Sequence, residues 1–365
     1  MKYWRGYLVA ALTAAGIWGL QVFAQSHSTL VDMVYPYVSR MIQNFLADWS
    51  SGVSFCVWQM LLLLLIALAV GSIILMILFK WNPIQWFGWI LACASLIGLL
   101  NTGIYGLNEY AGDLTQDIRL GDVEYKYTLS ELQDAAVFYR DKANELSDKV
   151  ARDSSGNVRF PAFSELAVQA ADGFRVLTYG QFYSVFAGST VPVKELGASS
   201  YFSSQGVTGV TVALTGEAAV NPNIPAVCLP FAMCHEMAHR MCIAVDRDAD
   251  FAAFMACDAN PSVNFQYSAY FMAFRYCYEA MKSIGQTELS NFESGIGSNL
   301  RRDVDSYDSY FGNNLDLDSE VCDLLVIWHI QKYVLPLHQE EEKTFDPKDE
   351  DAVDLSGIVN AKPKE

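Results

Sequence analysis

Positive charge is scarce in this sequence: 24 Lys and Arg stand against 41 Asp and Glu, a formal net charge of −17 over 365 residues. That balance counts against nucleic acid as a partner, because a phosphate backbone needs a basic face to meet it. It also makes the acidic part of the chain a poor ligand for anionic lipid. The eight cysteines contain no CxxC pair, which argues against a cysteine zinc knuckle. Histidine is scarcer still, with five in the whole chain, and no internal repeat is present.

Charge is almost missing from three long apolar runs, at about 7–24, 55–79 and 84–107. Each is close to the roughly 20 residues that cross a bilayer as a helix. The first follows Lys2 and Arg5 and has the look of a secretory signal, but further spans follow closely, so it reads as a retained helix. The second contains Leu61 to Leu65, and the third opens with Trp86 and Trp89, which suit the interface. Lys2, Arg5 and Lys80 place the connecting ends in the cytoplasm and everything after the third span outside, with Arg40 in the outer loop opposing this. The lipid bilayer is thus an expected partner, and residues 1–107 an expected membrane domain.

Residues 108–338 read as one mainly α-helical domain with a small β element, and residues 339–365 as an acidic, solvated tail rich in Glu, Lys, Asp and Pro. An acidic connector leads to Thr128, whose spacing to Glu131 predicts a capping box and a helix to about Val150. Ser164-Glu165 opens a second amphipathic helix toward Tyr179. The stretch from Gly206 to Glu217 alternates β-branched and small residues and is the one convincing strand signal in this part. Leu229-Pro230 then starts a helix, and others follow over Asp250 to Ala256, Asn264 to Ile284 and Glu320 to Tyr333. The six cysteines of this domain are compatible with disulfides or with buried free thiols.

The chemistry concentrates at His235-Glu236-Met237-Ala238-His239. Two histidines four apart leave one face of a helix and can converge on one ion, with Glu236 beside them as general base. Two histidines also fall on a helix by accident, one capping and one in the core. The glutamate between them favours a zinc site of the zincin kind, in which the ion acidifies water and polarises a carbonyl. A third ligand is required. If a second helix begins at Asp246, then Asp246 and Asp250 share a face while Asp248 points away. Asp246 is the expected ligand, with Asp250 accepting from a histidine ring N–H. Asp248 and Cys242 are the alternatives, since Cys242 would share the histidine face if the first helix ran on. Glu217, just before that helix, reads as a substrate contact or as an exposed loop carboxylate. His329 reads as an oxyanion donor or as a core histidine.

On these residues the chain resembles a family of bacterial membrane proteins described only as a domain of unknown function, in which N-terminal transmembrane helices precede an HExxH domain. The matching pieces are Tyr35 to Arg40, Gly106 to Tyr110, Tyr127 to Leu132, Gly206 to Gly209, Thr215 to Ala218, and Leu229-Pro230-Phe231 leading to the histidines. Asp246-Arg247-Asp248-Ala249-Asp250-Phe251 stands where the family tends to show Glu-x-Glu-Ala-Asn-Phe, a pattern like the third-ligand helix of gluzincin peptidases. The resemblance therefore implies a zinc-dependent peptidase with Asp246 as a shortened ligand. Two departures from the family pattern are aspartate for the usual glutamate at 246 and Cys242 for the usual glycine, the latter costing about 1 kcal/mol if φ is positive there. The expected function is hydrolysis of peptide or membrane-protein substrates at the outer membrane face by a Zn2+ enzyme. The alternative is a catalytically silent sensor or scaffold that keeps the fold.

Overall fold

The structure, a computed structural model, describes residues 2–120, 126–181, 183–312 and 317–336. The expected acidic connector lies partly outside the described residues, and the 338 boundary and the tail lie wholly outside them.

Three helices are long and apolar enough to cross a membrane: α1 (Arg5–Ser26), α3 (Val57–Leu78) and α4 (Pro83–Ile104). Gly6 meets Gly88 so closely that an added Cβ would lie 2.4 Å from the Gly88 carbonyl carbon. Farther along, the Thr13 hydroxyl donates to Ser95 at 2.6 Å. Small residues and a polar contact are how helices associate where water supplies no driving force. These contacts also make α1 and α4 parallel, so their C-terminal ends emerge together, and α3 runs back between them in sequence. Trp86 pins α3 to α4 by donating to Ser72 Oγ at 3.1 Å.

Between α1 and α3 the chain is not a loop, as the sequence suggested, but a helix, α2 (Ser28–Ser50), which keeps Pro36 inside it. Arg40 sits on this helix and is buried: its Nε donates to Met241 O at 3.1 Å and an Nη to Ser184 O at 3.1 Å. The charge that opposed the expected orientation therefore belongs to the interior of the globular part, which draws on residues well before 108.

That part is mainly helical among the described residues. A short α5 (Leu114–Asp117) leads to α6 (Leu129–Ser147), whose Thr128–Glu131 capping box is formed in both directions, and then to α7 (Phe163–Arg175) and α8 (Ser199–Ser204). After these come α9 (Leu229–Arg240), α10 (Asp246–Ala259), α11 (Val263–Lys282), α12 (Gln286–Ser294), α13 (Ser298–Phe311) and α14 (Ser319–His329). One continuous apolar core joins α6, α7, α9, α10, α11 and α14. Helices α9 and α10 are buried almost all round, as expected of central core helices. All eight cysteines are free thiols, seven of them buried.

The strand signal resolves into a hairpin. The backbone turns at Ala213 to Gly216, so β2 (Gly209–Val212) pairs antiparallel with β3 (Glu217–Val220), and β1 (Lys194–Glu195) pairs parallel on the far side of β3. The order β1-β3-β2 leaves β2 at an edge.

Glu217 is neither a substrate contact nor an exposed loop carboxylate. It is 2% exposed, takes the Lys194 ammonium at 2.6 Å, and accepts from Val57 N at 2.7 Å and Trp58 N at 2.8 Å. It therefore satisfies two of the free N–H groups at the start of α3, where the helix dipole favours a negative charge. Removing one member of a buried ion pair costs about 3–5 kcal/mol because the other is left uncompensated. Glu217→Ala is expected to destabilise the detergent-solubilised chain by about that amount in denaturant titration, with partial recovery in Glu217→Ala/Lys194→Met. A Glu217→Ala chain as stable as wild type would contradict the cap.

Candidate metal centre

The histidine-bearing helix α9 begins with Pro230 in its first turn, where no N–H is missed. It ends in a Schellman turn: Ile243 N donates to Ala238 O at 3.2 Å and Cys242 N to His239 O at 2.9 Å. That motif needs a left-handed residue, and Cys242 supplies it with φ of 73° where glycine is the easy choice. The turn reverses the chain into α10, which brings Asp246 and Asp250 back over the histidines. Cys242 itself is carried away from them. Its thiol is buried and donates to Ser39 Oγ at 3.3 Å.

Both imidazoles are held by their outer nitrogens. His235 Nδ1 lies 2.7 Å from Asp250 Oδ1, whose other oxygen accepts from Tyr276 OH at 2.7 Å. His239 Nδ1 lies 2.8 Å from the carbonyl of Ile243. A carboxylate and a carbonyl only accept, so each Nδ1 carries a proton, and in the neutral ring each Nε2 presents a lone pair. Yet the two Nε2 atoms are 3.0 Å apart, and Asp246 Oδ1 lies 3.2 Å from one and 3.9 Å from the other. Three acceptors face one another with no donor between them, and only a cation, metal ion or proton, reconciles them. The three atoms lie on a circle of about 2.0 Å radius, the length of a zinc–nitrogen bond. They are the one such group of metal-binding donors among the described residues.

The field around them is negative. Burial opposes a charge on His235, but Asp250, Glu236 and Asp246 together outweigh it and raise its pKa to about 9. Asp246, which is exposed at the mouth of the site, is held below the usual carboxylate range by its bond to His239. Asp248 does not join them. It is buried on the other side of α10, accepting from Leu114 N at 2.8 Å and pairing with Arg247.

Glu236 is 4% exposed and still lines the cleft. Burial raises its pKa, against the pull of both histidines and a 2.6 Å bond from Thr211 Oγ1. Gly209 makes the space for it, since a Cβ there would lie 2.5 Å from Glu236 Oε1. The cleft holds about 830 Å³ and runs along β2 past Gly209, Val210 and Thr211, with Phe231, Met272 and Phe311 among its apolar lining. Tyr105, just past the end of α4, also lines it and donates to His239 O at 2.9 Å. Thr211, Gly209, Tyr276 and Tyr105 were not legible as site residues; the glycine and threonine inside the strand signal were the only hint. His329 does not line the cleft. It packs in the core with its ring 4.6 Å from that of Phe138, and burial lowers its pKa.

A family model described as "Protein of unknown function (DUF3810)" matches residues 31–323 of the chain. No curated protein and no solved structure matches it.

The geometry separates the candidate ligands by experiment. Asp250→Ala is expected to weaken zinc binding by about 10–100-fold, the usual effect of losing an outer partner of a ligand histidine. Asp246→Ala should weaken it further, and Cys242→Ser should leave it unchanged, all read by chelator competition. Loss of zinc in Cys242→Ser would instead make the thiol a ligand.

Proposed function

This chain belongs to the DUF3810 family, and we propose that it is a membrane-anchored, zinc-dependent metallopeptidase that hydrolyses peptide bonds at the outer membrane face. The observation that carries the reading is the convergence of His235 Nε2, His239 Nε2 and Asp246 Oδ1 beside the carboxylate of Glu236. His235, His239 and Asp246 would hold the ion. A zinc ion bound there supplies Lewis acidity toward a carbonyl and lowers the pKa of water.

The rest of the work falls to the protein. Glu236, ionised, takes a proton from the attacking water and returns it to the leaving amine, and its burial raises its basicity for that task. Thr211 holds the carboxylate by one oxygen, so the other is available to the water. The free edge of β2 offers main-chain groups to an extended substrate, in the way strands capture peptides. The apolar lining suits uncharged side chains on either side of the scissile bond.

Placement at the outer face rests on Lys2, Arg5 and Lys80, which lie at the ends of the spans opposite the globular part. A silent scaffold that keeps the fold has no use for a base, and Glu236 with its threonine clamp and glycine clearance speaks for the enzyme. Glu236→Gln is expected to retain zinc and lose about 10²–10⁴-fold in turnover of a fluorogenic peptide library, the contribution of a general base. Turnover equal to wild type would remove Glu236 from the mechanism. Absence of any zinc-dependent cleavage by wild type would favour the scaffold.

A further inference from the structure

Helix α2 has its polarity inside out. The face turned to the globular part carries Ser39, Arg40, Gln43 and Ser50, all buried and hydrogen-bonded. The opposite face presents Met33, Val34, Tyr37, Met41, Phe45 and Trp49, each between 52% and 70% exposed. These positions recur at three- and four-residue steps and form one stripe along a 23-residue helix. The only charge on that face is Asp48, near its C-terminal end. A helix bathed in water turns its apolar face inward, so the medium against this stripe is not water.

The neighbours of α2 identify that medium. It starts two residues after α1 ends and finishes seven before α3 begins, and both are candidate spans whose near ends lie on the side of the globular part. Both ends of α2 are thus tied to the same membrane surface. A crossing orientation is ruled out by its polar face, which meets the globular part at four points: Ser39 Oγ accepts from Cys242 Sγ, Arg40 donates to Met241 O, Gln43 donates to Ala213 O, and the Ser50 carbonyl accepts from Lys194 Nζ. Tyr37 and Trp49 are of the types that gather where headgroups meet acyl chains.

We propose that α2 lies in the plane of the bilayer, its apolar stripe sunk into the acyl-chain boundary, and acts as the lipid-embedded platform on which the metal centre is mounted. Arg40 joins it to the last turn of α9 through Met241 O, and Gln43 joins it to the β2–β3 turn through Ala213 O at 3.1 Å. The helix and the edge strand that flank the cleft are therefore both fixed in height above the lipid. The platform stands whether or not the centre hydrolyses peptides.

The test is nitroxide scanning of the full chain in phosphatidylcholine vesicles. Cys93, the exposed native cysteine, is replaced by serine, and Met33→Cys, Met41→Cys and Phe45→Cys are labelled singly. Asp141→Cys, on the exposed face of α6, serves as the water-facing control. At the three α2 positions, collision with molecular oxygen is expected to exceed collision with a water-soluble nickel chelate, the reverse of the control. Nickel access equal to the control would overturn the proposal. So would low access to both reagents, which would mean that a second copy of the chain covers the stripe.

Discussion

Two imidazole nitrogens held 3.0 Å apart, with a carboxylate oxygen beside them, are the constraint on which the rest of this protein turns. Nothing about His235 and His239 alone produces it. It follows from what grips the far side of each ring: Asp250, itself held by Tyr276 on α11, and the Ile243 carbonyl, delivered by the Schellman turn. A cation between these nitrogens and Asp246, proton or metal ion, gives the three facing acceptors a common partner. The cysteine in a left-handed conformation at 242 is part of the same device, because the turn it closes sends α10 back across the rings.

The C-terminal end of α9 is where the part that holds the candidate metal centre and the part that holds the candidate spans meet. Its last carbonyls receive Arg40 from α2 and Tyr105 from the end of α4. A cation and a hydroxyl donor at a helix C-terminus satisfy groups that the helix cannot satisfy itself. On the other flank, Glu217 at the start of β3 caps α3. The cleft is thus braced against α2, α3 and α4.

What was legible in the sequence is what depends on local period and composition. The three spans announced themselves by length and lack of charge, and His235, Glu236 and His239 by a four-residue spacing that any helix turns into one face. Asp246 and Asp250 sorted from Asp248 by the same rule. The rest required tertiary contacts. Glu217 looked like a loop carboxylate because Lys194 and the N-terminus of α3 come to it from far along the chain. Helix α2 was not legible because it keeps Pro36, a residue that usually ends a helix, and because its apolar face points away from the core. The cradle for Glu236 arises only when β2 packs on α9, so Gly209 and Thr211 read beforehand as ordinary strand residues.

Whether His235, His239 and Asp246 hold one metal ion together is read from the metal content of the purified protein. Because α2 and the ends of the spans brace the domain, the full chain purified in detergent is the right material, alongside His235→Ala/His239→Ala. One zinc per wild-type chain is expected by elemental analysis, and none in the folded double variant. Wild-type protein that is folded yet takes up no zinc, even when it is supplied, would contradict a shared site.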